Sequence, residues 1–130
     1  MQRTAPPLTE RTGAYWRSGA DGVLRIAQCQ SCKTYLHPPA PCCPQCRSRD
    51  IGFSAASGRG AVYSFTINRY QWAPGMTPPY VLAEVDLDEQ QGLRILTNIV
   101  DIAPEDVRIG MRVCVRFDQT EDAYIPVFAP

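Results

Sequence analysis

The chain has 130 residues, 45% of them hydrophobic, and its thirteen basic and thirteen acidic side chains leave no net charge. That size suits one domain with a small module, or two small modules sharing a core. No stretch approaches the ~20 apolar residues of a membrane-spanning helix, and a general nucleic-acid binder would show a basic face on its main domain.

The charge is unevenly spread. Residues 25–50 carry +3 through Arg25, Lys33, Arg47 and Arg49 against Asp50, whereas residues 51–130 carry −4. The acidic C-terminal half therefore speaks against nucleic acid. Residues 1–7 read as a loose tail closed by Pro6-Pro7. Met1 to Glu10 contains no apolar run, so no signal peptide is expected and a cytoplasmic, reducing location is. In that compartment paired cysteines serve metals rather than disulfides. Thr9 is placed to cap a short helix reaching about Arg17 and carrying Tyr15 and Trp16. Ser18-Gly19-Ala20-Asp21-Gly22 is a turn signal. Val23, Leu24 and Ile26 lead as a short strand into Cys29.

Four of the six cysteines form two short pairs, Cys29-Gln-Ser-Cys32 and Cys43-Pro-Gln-Cys46, ten residues apart. Each pair can close a tight knuckle with both sulfurs aimed at one point. Two facing knuckles give a tetrahedral four-thiolate site suited to one structural zinc, since four thiolates leave no position open for water or substrate. Iron is the alternative, with a redox role. Cys42 competes with Cys43, but Cys43 preserves the Cys-Pro-x-Cys knuckle. Tyr35-Leu36 offers a brief return strand, and His37-Pro38-Pro39-Ala40-Pro41 is a stiff connector.

From Gly58 the texture changes. Ala61 to Tyr70 alternates, with Tyr63, Phe65 and Ile67 on one face and Ser64 and Thr66 on the other, as in a half-buried strand. A long loop rich in aromatics and proline runs from Asn68 to Pro79. Tyr80 to Leu87 is a second strand, Leu93 to Val100 a third, Arg112 to Phe117 a fourth and Tyr124 to Phe128 a fifth. One helical turn is expected over Ala103 to Val107. A mainly β fold follows, with a five-stranded Greek-key barrel of the OB type; an SH3-like barrel or small sandwich fits the alternation too. The expected organisation is a tail and helix over 1–22, a zinc ribbon over 23–52 and the barrel over 53–130.

Independent catalysis is poorly supported. The single histidine, His37, reads as a packed or exposed loop residue. Cys114 lies between Val113 and Val115 and reads as a buried or half-buried bystander. Glu84 and Asp86 read as a solvated strand face. The Asn68–Pro79 loop is the best binding candidate, because Arg69, Tyr70, Trp72 and Met76 join cationic, aromatic and adaptable apolar groups on a stiffened segment. Tyr15 and Trp16 are further candidates for docking on a partner. Arg25, Lys33, Arg47, Arg49 and Arg59 are candidate cations for phosphates.

The order and spacing of several motifs resemble a known family. They are Tyr15-Trp16-Arg17-Ser18-Gly19, Gly22 to Cys29, Pro38-Pro39, Cys43-Pro44-Gln45-Cys46, Gly58 to Thr66, Pro79 to Val85 and Ile109 to Val113. The chain resembles the acyl-CoA-associated OB-fold family with an N-terminal rubredoxin-like zinc ribbon, long catalogued as a domain of unknown function. It departs from that pattern at Ala40, where arginine is frequent, and at Lys33, where glycine is frequent. The resemblance implies a non-catalytic accessory subunit that completes a thiolase-like, SCP2-thiolase-type aldolase. That enzyme would be a lyase shortening steroid side chains as CoA thioesters, in a hetero-oligomer such as a heterotetramer. A MaoC-type enoyl-CoA hydratase partner and a stand-alone acyl-CoA carrier are the alternatives.

Overall fold

The computed structural model describes residues 2–130; Met1 lies outside them. Thr9 does act as a cap, but of a turn. Its hydroxyl accepts the Thr12 N–H at 3.1 Å and its carbonyl accepts the Gly13 N–H at 2.8 Å. The helix itself, α1, covers only Gly13–Arg17. A 3₁₀ turn over Ser18–Asp21 follows and stops at Gly22, whose φ of 79° is left-handed. Gly19 is buried inside this turn, and a Cβ there would lie 2.2 Å from the Phe117 ring. Only glycine lets the turn sit on the barrel.

Three strands make the ribbon: β1 (Arg25–Cys29), β2 (Tyr35–Leu36) and β3 (Ile51–Ala55). They form an antiparallel sheet in the order β2-β1-β3. The sequence reading omits β3, because Ile-Gly-Phe-Ser-Ala follows a polar stretch and alternates weakly. β3 pairs with β1 along its whole length, from Arg25 opposite Ala55 to Cys29 opposite Ile51. It runs through residues 52 and 53, where the sequence divides ribbon from barrel.

The remaining strands are β4 (Arg59–Asn68), β5 (Tyr80–Leu87), β6 (Arg94–Ile99), β7 (Arg112–Thr120) and β8 (Ala123–Ala129). A 3₁₀ turn at Pro104–Asp106 stands where one helical turn is expected. The strands close into a barrel in the order β4-β5-β6-β8-β7. Its seam includes a parallel pairing of β6 with β8 at Ile99 and Phe128. Closure and this strand order decide for the OB type over an open sandwich.

The inward phase of β5 is Val81, Ala83, Val85 and Leu87, all buried. They meet Val62, Ile95, Val113 and Phe128 in the barrel core. Tyr15 of α1 and Leu24 and Ile26 at the head of the ribbon belong to that same core. Ribbon and barrel are therefore joined through packed side chains. Beneath the metal knuckles lies a smaller cluster of Ala27, Cys29, Leu36 and Cys43. Gln90, in the turn between β5 and β6, clasps the edge of β2: its Oε1 accepts the Tyr35 N–H at 2.8 Å and its Nε2 donates to the Tyr35 carbonyl at 3.0 Å.

Two expectations are corrected here. The tail is not loose in its described part. The Gln2 N–H donates to the Gly75 carbonyl at 3.0 Å, and Arg3 reaches Asn98 and Asp118. Tyr63 does not share a face with Phe65 and Ile67. The β4–β5 register shifts between Val62 and Ser64, and this bulge turns Tyr63 outward, 47% exposed. One inserted residue reverses the side-chain phase of a strand. The outward ring of Tyr63 lies under the Arg94 guanidinium at 3.6 Å.

Candidate metal centre and docking face

The two knuckles have the same backbone pattern. In the first, the Cys29 N–H donates to the Thr34 carbonyl and the Lys33 N–H to the Cys29 carbonyl, both at 2.9 Å. In the second, the Cys43 N–H donates to Ser48 at 2.8 Å and the Arg47 N–H to Cys43 at 2.9 Å. Lys33 and Arg47 close the knuckles with φ of 66° and 64°. The Ser31 hydroxyl bonds that of Ser48 at 2.9 Å and ties one knuckle to the other.

The four sulfurs of Cys29, Cys32, Cys43 and Cys46 lie within 4.8 Å of one another. The Cys29–Cys46 separation is 3.5 Å and the Cys32–Cys43 separation is 3.6 Å. A tetrahedron with Zn–S bonds of ~2.3 Å has edges of about 3.8 Å, so the set fits zinc. Hydrogen bonding with the Thr34 hydroxyl, 3.1 Å away, holds the Cys32 thiol down at about 6. The Cys32 backbone N–H likewise lowers Cys29. Both shifts favour the thiolate form that a metal needs. Cys46 goes the other way: its backbone hydrogen bond with Ser48 is outweighed by the neighbouring Cys29 sulfur and by desolvation, which push it up to about 12. A bound cation would relieve this crowding of negative charge. Cys42 is exposed and stands apart from the cluster, while Cys43 is buried within it. Zinc held by four thiolates would serve as a fold constraint and offer no open position for chemistry.

Cys114 is exposed, against the expectation of burial: β7 turns Val113 inward and Cys114 out. His37 packs on Tyr15 with ring centroids 4.8 Å apart and planes tilted by 43°, and burial holds its imidazole down at about 4. Arg25 is occupied by Asp21 at 2.8 Å, which removes it from the cations available to a phosphate. Lys33, Arg47, Arg49 and Arg59 are exposed.

The aromatic loop presents its side chains as the sequence suggests. Tyr70 is 64% exposed and Trp72 74%, and their rings meet at 4.7 Å. The Trp72 indole N–H donates to Asn68 Oδ1 at 2.7 Å, and Asn68 Nδ2 donates to the Tyr70 carbonyl at 2.5 Å. With its polar atom satisfied, the indole offers a fixed apolar surface. Arg69 is exposed and Met76 half-buried. Tyr15 cannot join this surface: it is only 4% exposed, and burial raises the pKa of its phenol. Trp16 is half-buried and packs on the core beside it.

Sequence reasoning missed two residues on the adjoining barrel face. Leu82 is 39% exposed and Leu96 67%. They line two shallow clefts at once, one with Tyr63 and Thr66, the other with Trp16, Met76 and Tyr80. Leu82 and Leu96 thus form an apolar patch at the loop end of the outer face of β5 and β6, bordered by the polar Ser64, Thr66 and Glu84. The signal was present for Leu82, which falls in phase with the outward Glu84 and Asp86.

The ribbon matches the family described as ChsH2, rubredoxin-like zinc ribbon domain, over residues 16–52. The barrel matches ChsH2, C-terminal OB-fold domain, over residues 54–118. A DUF35 domain-containing scaffold protein of Methanocaldococcus jannaschii is 39% identical over 103 residues, covering 75% of this chain and 70% of that protein. The chain belongs to the ChsH2 (DUF35) family.

Longer relatives contain the same unit. A probable enoyl-CoA hydratase alpha subunit of Thermomonospora curvata is 40% identical over 126 residues, 95% of this ChsH2-family chain but 39% of that protein. The 3-oxo-4,17-pregnadiene-20-carboxyl-CoA hydratase alpha subunit of Mycobacterium tuberculosis is 35% identical over 108 residues, covering 83% of this chain and 34% of that one. The chain spans well under half the length of these two. A solved structure described as an Ltp2-ChsH2(DUF35) aldolase superposes with a TM-score of 0.87 at 37% identity, over 97% of this chain and 98% of that one. Among the described residues, no helix is long and apolar enough to cross a membrane.

Proposed function

We propose that this chain is a non-catalytic accessory subunit of an acyl-CoA enzyme of the thiolase fold. The enzyme is an aldolase, a carbon–carbon lyase that shortens steroid side chains as CoA thioesters. The observation that carries this reading is the match, across nearly the whole of both chains, to the Ltp2-ChsH2(DUF35) aldolase. The surface chemistry supports it. Tyr70, Trp72, Leu82 and Leu96 expose rigid aromatic and branched apolar groups that water solvates poorly and a partner would cover. Cys29, Cys32, Cys43 and Cys46 hold one zinc in the ribbon, which supports the barrel from the side. The assembly is a hetero-oligomer, such as a heterotetramer, and the acyl-CoA is met through the complex.

Co-expression with a thiolase-fold enzyme tests this. Complex formation is expected by size-exclusion chromatography, with higher activity and a higher melting temperature for the enzyme than it shows alone. Trp72→Ala is expected to weaken the complex by about tenfold or more while leaving the chain's own melting temperature unchanged, since the ring is largely exposed. An enzyme that is fully active and stable alone, and forms no complex, would overturn the reading.

A second reading has its own support in the 40% identity to a probable enoyl-CoA hydratase alpha subunit. Here the partner is a MaoC-type hydratase. The same experiment with hydratase subunits in place of the thiolase-fold enzyme separates the two.

A further inference from the structure

The Asn68–Pro79 loop is long, and its own bonds are few. Within it, the Met76 N–H donates to the Ala73 carbonyl at 3.3 Å, and Asn68 bridges Tyr70 and Trp72. The strand pairing of β4 with β5 ends at Asn68 and Tyr80. Among the described residues, one backbone hydrogen bond joins the loop to a remote segment: Gln2 N–H to the Gly75 carbonyl, at 3.0 Å. The next residue is anchored on the barrel. Arg3 is only 11% exposed, and its Nη1 donates to Asn98 Oδ1 of β6 at 2.7 Å, with Nε 3.4 Å from Asp118 Oδ2 of β7. Asn98 is itself fixed, since its Nδ2 donates to the Val81 carbonyl at 2.8 Å.

Gly75 fits this contact closely. It has a φ of 83°, and a Cβ there would lie 2.6 Å from the Gln2 Cβ. Any side chain would lift the tail off the loop and strain the turn. Arg3 and Met76 then line one cleft of about 260 Å³, whose walls include Trp16, Tyr80, Leu82 and Leu96. The tail thus runs from a fixed point on the barrel to the crown of the loop.

From these contacts we propose that Gln2 and Arg3 form a strap that positions the aromatic loop for docking. The inference rests on the docking role given to that loop above. The strap lowers the ordering entropy that the loop would otherwise lose on meeting a partner. Arg3 is the positioning residue, and it acts through Gln2 and Gly75 on Tyr70 and Trp72.

Two variants test it without disturbing the barrel core. Arg3→Ala removes the anchor, and Gln2→Pro removes the single N–H donor while leaving Arg3 in place. Hydrogen exchange by NMR is read at the Met76 amide and the Trp72 indole. In both variants these protons are expected to exchange at least about tenfold faster than in the wild type, while the Val85 and Ile95 amides keep their rates. Affinity for the thiolase-fold enzyme is expected to fall by about tenfold. Unchanged exchange at Met76 and Trp72 in both variants overturns the strap. Faster exchange with unchanged affinity keeps the strap and instead removes the loop from the interface.

Discussion

His37 shows how one side chain links burial to pH. Its ring packs on Tyr15, its Nδ1 is buried without a partner among the described residues, and desolvation holds its pKa at about 4. In the unfolded chain an imidazole takes up its proton at about 6.5. Between these values the unfolded state holds a proton that the folded state lacks. Stability contributed by neutral His37 is therefore complete above about pH 6.5 and is lost as the pH falls towards about 4. Urea unfolding of the zinc-loaded protein at pH 7.5 and 4.5 checks this. The wild type should lose on the order of 2 kcal/mol more than His37→Phe between the two pH values. Both proteins are kept saturated with zinc and their bound metal is measured at each pH, so that the difference isolates the histidine. Equal losses would mean that His37 is solvated. The sequence placed this histidine beside a proline connector; only the fold put a tyrosine ring against it.

At the scale of elements, the knuckles were legible because their geometry is local. Each ligand pair is closed by backbone bonds spanning at most five residues, and the choice of Cys43 over Cys42 follows from the turn. Cys43→Ser is expected to lose the metal and the ribbon's order, whereas Cys42→Ser keeps one zinc per chain. Elemental analysis and circular dichroism read both outcomes, and a colourless protein distinguishes zinc from iron. A Cys42→Ser variant without metal would reverse the ligand assignment. The strands were legible in proportion to their alternation. β5 follows its period of two without interruption, and its bounds match the sequence reading. β3 has no such pattern, so alternation does not reveal it. β4 was found, but its bulge put Tyr63 on the wrong face, because one extra residue leaves composition unchanged while reversing orientation. Leu96 lies between inward Ile95 and Thr97, and its exposure depends on which neighbours cover β6.

The whole molecule couples its metal to its barrel. Leu24 and Ile26 of the ribbon segment and Tyr15 of α1 lie in the barrel core, and Gln90 bonds back to β2. Removing zinc with a chelator is therefore expected to lower the melting temperature of the barrel as well as to unfold the ribbon. Metal binding to such sites is linked to folding by on the order of 10 kcal/mol, and part of that reaches the barrel through shared packing. Backbone amides of β5 and β6, followed by NMR during chelation and heating, read the effect. A barrel that melts at the same temperature with and without metal would show that the two parts are independent.

The two cysteine pairs, the five-strand alternation and the aromatic loop are legible in the residues alone. These depend on residues within a turn or a strand of one another, so spacing alone carries them. The tertiary structure decided which surfaces are free. It withdrew Tyr15 into the core, turned Tyr63 and Leu96 outward, and drew the tail across the loop. The Arg3–Asp118 contact joins positions 115 residues apart. No local pattern encodes such a pairing, because it exists only once the barrel has closed and brought β6 and β7 beneath the tail.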